Sequence, residues 1–236
     1  MLFRSRLRAA SRTLVVIGAC ATAGGIQALR TASEHEAFRQ AVYPVAAFVD
    51  SLAIAQPISA FVTVDYELRG CPIDGHQLVE LLTALTTGRR PQLPDQAVCL
   101  ECKRRGIACV VVAKGEPCLG PVTQTGCGAI CPGMGRGCYG CFGPREGANV
   151  DGLARWYADG PALGGMAPQD VGRLFAGFTG AAPVFRAVTD RLGGRRPLPL
   201  VPAMAHRPEL GHEGPPSWYR TTSADAAEEV DDGSRD

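Results

Sequence analysis

Four consecutive apolar positions, Leu14-Val-Val-Ile17, follow an arginine-rich start and run into Gly18. A short apolar run closed by glycine predicts a buried parallel strand over Thr13–Ile17. The small residues Gly18-Ala-Cys-Ala-Thr-Ala-Gly-Gly25 then predict a loop. Ile26–Arg30 can start a helix after the double glycine, and Glu34–Tyr43 reads as a second helical piece stopped before Pro44. Within Ile58–Leu68, the run Phe61-Val-Thr-Val-Asp65 predicts a second strand. Ile73–Thr87 carries the clearest helical period, with Leu78, Leu81, Leu82 and Leu85 on one face, Gly88 as C-cap and Pro91 beyond. Strand, loop, helix and strand again predict an α/β unit on a parallel sheet.

The pattern changes after residue 91. Up to residue 150, Cys, Gly and Pro dominate, periodicity fades, and Ile107–Val112 is the only apolar run. Irregular chain of this length cannot normally offset the entropy of its own ordering. Metal ligation is the usual substitute for a hydrophobic core. After Asn149 there are no cysteines, and Val150–Asp159, Pro168–Phe178 and Ala182–Leu192 read as helices. From about Gly193 the chain is Pro-rich and then acidic, the composition of a disordered tail. The expected division is 1–92, an α/β domain; 93–150, a Cys-rich domain; 151–192, a helical extension; and 193–236, the tail.

Composition adds compartment and partners. Hydrophobic residues make up 46% of the 236, so a core can be buried, while a net charge of +1 argues against nucleic acid as the main partner. Arg4, Arg6, Arg8 and Arg12 before the apolar run imitate a lipoprotein signal ending at Cys20. The four-residue run before Gly18 falls short of a signal core, which needs about 7–15 apolar residues. Nothing later is apolar enough to span a membrane. The chain is therefore read as cytoplasmic, where disulfides are disfavoured and metal-bound thiolates favoured.

The chain has ten cysteines, eight of them between Cys99 and Cys141. They read Cys99-x-x-Cys102, Cys109, Cys118, Cys127-x-x-x-Cys131 and Cys138-x-x-Cys141. Eight thiolates make two sets of four. Zinc ribbons also use two C-x-x-C pairs, set about 15–20 residues apart. Here the outer pairs stand further apart, with four cysteines between them. Cys71 and Cys131 each precede proline, as the last ligand does in bacterial ferredoxin runs. Two 4Fe–4S clusters fit this spacing better than zinc. Cys20 and Cys71 follow the two expected strands, so both belong at the carboxyl edge of the sheet, in loops with nearby glycine. His35, His76, His206 and His212 are scattered outside the cysteine block and read as surface residues.

These residues also carry a resemblance. Gly18-Ala-Cys-Ala-Thr-Ala-Gly-Gly25, Val64-Asp-Tyr-Glu-Leu-Arg-Gly-Cys-Pro72, Glu116-Pro-Cys-Leu-Gly-Pro-Val-Thr-Gln-Thr-Gly-Cys-Gly-Ala-Ile-Cys-Pro132 and Cys138-Tyr-Gly-Cys141 resemble the small subunit of cytoplasmic nickel–iron hydrogenases, sulfhydrogenase delta subunits among them. The fold is similar to that of the 20 kDa subunit of NADH:quinone oxidoreductase. The resemblance implies a flavodoxin-like parallel sheet, an irregular Cys-rich iron–sulfur domain and a helical C-terminal tail. It implies that Cys20 and Cys71 are two ligands of a proximal 4Fe–4S cluster. Cys99, Cys102, Cys109 and Cys118 would hold a distal cluster, and Cys127, Cys131, Cys138 and Cys141 a medial one.

The implied role is electron transfer between the nickel–iron site of a large subunit and a flavin- and NAD(P)-binding diaphorase subunit. The chain would not activate hydrogen alone, because the nickel ligands belong to the partner. The family has two further proximal ligands in an N-terminal C-x-x-C loop, and this sequence has no cysteine before Cys20. A truncated sheet lacking its first βα unit, roughly 30 residues, and a half-ligated third cluster are therefore expected, from a misassigned start or a fragment. The alternatives are a quinone-oxidoreductase-like redox subunit without hydrogenase activity and a non-redox zinc-binding interaction module.

Overall fold

The computed structural model describes residues 3–193, except 33, 34, 44, 52, 53 and 161–164. The chain divides into Met1–Pro199 and Leu200–Asp236. Glu34, His206, His212 and all but the first residue of the tail expected over 193–236 lie outside the described residues. No helix among the described residues is long and apolar enough to cross a membrane.

The expected α/β class with a parallel sheet is what the chain adopts. After α1 (Phe3–Ala10), β1 (Val15–Ile17) pairs in parallel with β2 (Tyr66–Leu68), Val15 opposite Tyr66 and Ile17 opposite Leu68. Asp65 locks the entry to both strands. Its carboxylate accepts the Leu14 N–H at 2.7 Å, its own N–H donates to the Leu14 carbonyl at 3.0 Å, and Arg8 pairs with it. The Leu14 hydrogen bond first, and Arg8 second, hold the Asp65 carboxyl below its ordinary range.

The second strand lies beyond the apolar run: Phe61-Val-Thr-Val-Asp65 forms no strand, and β2 takes only Tyr66–Leu68. Ile58–Ala60 forms a 3-10 turn after Pro57, and Phe61 is exposed with the Arg4 guanidinium 3.5 Å from its ring centroid. A parallel ladder extends only as far as its partner. In this register the residues before Tyr66 would pair with residues before Val15, where β1 has not begun.

The small-residue segment after β1 is not a loop. Gly18–Ala23 is a helix, α2, which carries Cys20 and buries Ala19 and Ala23. Alanine is the best helix former, and small side chains let this turn pack tightly under the sheet edge. Gly24 and Gly25, at φ +76° and +57°, end it and lead into a 3-10 helix, Gly25–Ala32. α3 (His35–Val42) follows. α4 (Gly75–Thr87) starts on Asp74, which accepts the Gln77 N–H, and ends on left-handed Gly88. Its buried face is Gln77, Leu81 and Ala84, and Leu82 is exposed. Of the face the leucine spacing predicts, Leu81 is buried and Leu78 and Leu85 are half-buried, so only Leu82 departs from it. Gln77 is drawn in because its amide packs on Gly126.

The Cys-rich segment is more regular than expected. It contains α5 (Val98–Arg104), α6 (Val110–Lys114) and α7 (Ile130–Gly133). These surround a core of Val98, Val110, Val111, Cys118, Ala129 and Cys138. α8 (Val150–Asp159), α9 (Pro168–Phe175) and α10 (Pro183–Leu192) follow at the places their periodicity predicts. Their core joins Tyr157, Val171, Phe175, Phe185 and Val188 to Leu119 and Val122 from the Cys-rich segment.

Candidate metal centre

The C-x-x-C spacing places Cys99 and Cys102 one turn apart on α5, hence on one face. Cys109 caps the start of α6, and Cys118 lies in the turn beyond it. Their charges are close enough to act on one another: Cys118, Cys102 and Cys109 all press on Cys99. A Cβ placed on Gly120 would stand 3.2 Å from the Cys118 sulfur and 3.6 Å from the Cys99 sulfur. Glycine at 120 therefore leaves open the space that these two thiols face.

A second group forms around α7. Cys131 lies on that helix, and Cys127 and Cys141 each feel Cys131. Cys138 neighbours both Cys141 and Cys118 and so sits where the two groups meet. Cys20 and Cys71 are exposed and follow adjacent parallel strands, as expected. The Ala19 N–H donates to the Gly70 carbonyl at 2.9 Å, tying the two cysteine-bearing turns together. The Cys71 N–H reaches the Cys141 sulfur, so this edge of the sheet adjoins the second group.

Backbone donors converge on the sulfurs. Cys118 accepts N–H from Cys138 at 3.1 Å and from Gly120 at 3.4 Å, and Cys138 accepts from Gly140 at 3.5 Å. Cys127 accepts from Ile130 and Ala129, where Ala129 holds a left-handed φ of +51°. Such donors stabilise thiolates and tune the metal they bind. Against them, burial pushes the thiols up, and neighbouring thiolates push further. Cys99 and Cys141 rise to about 11, and Cys102, Cys118, Cys127 and Cys138 rise as well.

Buried thiols that repel one another when ionised, yet receive N–H donors, suit a positively charged metal core. Among the described residues, no three His, Cys, Asp or Glu side chains stand close enough to share a single ion. Thiolates in this number are the donor set of iron–sulfur clusters and of structural zinc alike.

Several supporting residues carry no motif. Tyr157 of α8 is fully buried. Its hydroxyl accepts the Cys118 N–H at 2.8 Å and donates to the Cys118 carbonyl at 2.6 Å. Arg69 beyond β2 donates to the Pro144 carbonyl at 2.6 Å, joining the sheet to the Cys-rich segment. The only sequence signal for Tyr157 is general: a tyrosine on a helix's apolar face needs a partner for its hydroxyl.

Residues 4–85 match the family model of the NADH ubiquinone oxidoreductase 20 Kd subunit. Sulfhydrogenase 2 subunit delta of Pyrococcus furiosus is 41% identical over 143 residues, covering 61% of this chain and 60% of that one. A vhu-type F420-non-reducing hydrogenase subunit of Methanococcus voltae is 30% identical over 206 residues, covering 73% and 71%. The F420-non-reducing hydrogenase iron-sulfur subunit of Archaeoglobus profundus is 27% identical over 188 residues, covering 58% of each. The matched region thus spans about three fifths of the length of the Pyrococcus and Archaeoglobus relatives. The chain belongs to the family of these hydrogenase subunits and is hydrogenase small-subunit-like.

Proposed function

We propose that this chain is the iron–sulfur electron-transfer subunit of a cytoplasmic nickel–iron hydrogenase. It would carry electrons between the nickel–iron site of a large subunit and a flavin- and NAD(P)-linked partner. The observation that supports the reading is that the cysteines between residues 99 and 141 lie within electrostatic reach of one another, with backbone N–H donors on several of their sulfurs. Cys99, Cys102, Cys109 and Cys118 would hold one 4Fe–4S cluster, and Cys127, Cys131, Cys138 and Cys141 a second. Cys20 and Cys71 would contribute two thiolates to a third, facing the large subunit.

When bound, such clusters accept and release one electron at a time with little movement of their ligands. The chain's own task is to fix the ligands, exclude water and set the local field. Tyr157 and Gly120 serve the first group, and the Cys71 N–H on Cys141 links the third site to the second. On this reading, 93–150 is the two-cluster segment, 1–92 the flavodoxin-like part and 151–192 its helical support.

Anaerobic reconstitution with iron and sulfide tests the proposal. About eight irons per chain in two four-iron sets are expected, with brown colour and, after reduction, the EPR signals of two interacting clusters. A colourless, EPR-silent protein that takes up zinc but neither iron nor sulfide would overturn it. Co-purification with a protein that carries two C-x-x-C nickel motifs distinguishes a hydrogenase partner from another redox assembly.

A further inference from the structure

Around α7 the surface is cationic out of proportion to the chain. Between residues 101 and 136, Lys103, Arg104, Arg105, Lys114 and Arg136 stand against only Glu101 and Glu116, while the whole chain carries a net +1. All five cations are exposed. None of them meets a carboxylate in an ion pair among the described residues. Glu101 accepts the Ala129 N–H at 3.0 Å instead. Arg105 donates to the Gly128 carbonyl, and Lys114 to the Gly135 carbonyl at 3.2 Å. These two anchors hold the ends of α5 and α6 beside α7 and set Arg105 and Lys114 against its flanks.

The same segments carry three bare apolar side chains: Val112, Met134 and Ile130, which are 86%, 78% and 61% exposed. Exposed Cys109 and half-buried Cys131 belong to the same surface elements. An apolar centre within a charged rim is the anatomy of a protein interface. Unpaired cations on that rim steer an anionic partner and hasten encounter.

We infer that this face docks an acidic redox protein, and that electrons pass through it between that protein and the cluster of Cys99, Cys102, Cys109 and Cys118. The inference rests on the electron-transfer reading above. Each event moves one electron, the reduced cluster losing it and the docked carrier gaining it, with no bond made or broken. The carboxylates of the partner supply the charge that the cations lack among the described residues. Val112, Met134 and Ile130 supply the contact that excludes water.

The test uses the full reconstituted chain and its Arg104→Glu/Arg136→Glu variant, two side chains outside both sulfur groups. An acidic flavodoxin and methyl viologen, a dye that needs no docking, are the oxidants in anaerobic stopped-flow at rising salt. Electron transfer to flavodoxin should fall about tenfold in the variant at low salt and lose most of its salt dependence. The viologen rate should not change. Equal flavodoxin rates in the two proteins, or faster transfer to a basic cytochrome c, overturn the inference. So does a shifted cluster midpoint with an unchanged flavodoxin rate, which would assign the cations to the cluster alone. Preferential binding of duplex DNA or phosphatidylglycerol vesicles overturns it as well. Iron and sulfide are measured on the same samples. Protein without clusters overturns the electron-transfer reading, and the docking face is then judged by flavodoxin binding to the two proteins.

Discussion

Replacing Tyr157 by phenylalanine deletes one oxygen and strands two backbone groups. The hydroxyl accepts the Cys118 N–H at 2.8 Å and donates to the Cys118 carbonyl at 2.6 Å, in a site with no solvent exposure at Tyr157. Each buried group left without a partner costs about 1–3 kcal/mol, and partial relaxation of the turn sets the sum at about 2–4 kcal/mol. Against a net stability of about 5–15 kcal/mol this is a large loss. The assay is anaerobic urea unfolding of the reconstituted protein, with EPR of the reduced clusters on the same samples. Tyr157→Phe should unfold at lower urea and alter the signal of the cluster that Cys118 serves, leaving the other unchanged. Tyr139→Phe, on a side chain 47% exposed, is the control and should match the wild type. If Tyr157→Phe stays within about 0.5 kcal/mol of wild type with identical spectra, the hydroxyl does not position Cys118.

Gly120→Ala puts a methyl 3.2 Å from the Cys118 sulfur and 3.6 Å from the Cys99 sulfur; reconstitution should stop about four irons short, as iron and sulfide assays will read. Gly126→Ala drives a methyl into Gln77 Nε2 and to 2.7 Å from Phe142 at a φ of +145°, so it should cost at least about 2 kcal/mol in urea unfolding, with the cysteines untouched. In the metal-free protein, Cys99 and Cys141 are raised to about 11, so both stay protonated at neutral pH. Their alkylation by iodoacetamide, followed by peptide mass mapping, should be slow at neutral pH and accelerate as pH climbs toward 11, because only the thiolate reacts. A rate that levels off near the ordinary thiol range would show that burial does not control them.

Helices with strong periods and explicit caps were legible in the chain itself. α4 is bounded by Asp74 and Gly88, and α8, α9 and α10 lie where their apolar spacing puts them. Legibility failed where a neighbour made the decision. The run Phe61-Val-Thr-Val-Asp65 forms no strand and β2 takes only Tyr66–Leu68, because β1 offers three residues to pair with. Leu82 has the right spacing for the core and faces outward, while Gln77 goes in to meet Gly126. The cysteines were legible as chemistry, since thiols at C-x-x-C spacing mark themselves. Tyr157, Arg69 and Gly120 were not, because each acts through the backbone or the space of a residue distant in sequence.

The Cys-rich segment also departs from the expectation that metal replaces a core there. Leu119 and Val122, which bracket Gly120, belong to the same buried cluster as Tyr157, Val171, Phe175 and Phe185. The Leu119 N–H donates to the Cys138 carbonyl at 3.0 Å, and the Thr179 hydroxyl donates to the Gly140 carbonyl at 2.7 Å. The turns at Leu119–Val122 and Gly140 are thus held from the C-terminal side by apolar packing and by a hydrogen bond that involves no sulfur ligand. Burying such side chains contributes about 1.5–3 kcal/mol each before entropy is counted. The helices from α8 to α10 therefore act as a rigid backing for the sulfur sites. A rigid backing suits electron transfer, because ligands that scarcely move between oxidation states keep the cost of each transfer low. On the proposed reading, metal would complete a site whose walls apolar packing already supports, and the thiols raised by burial at Cys99 and Cys141 are the part that calls for positive charge.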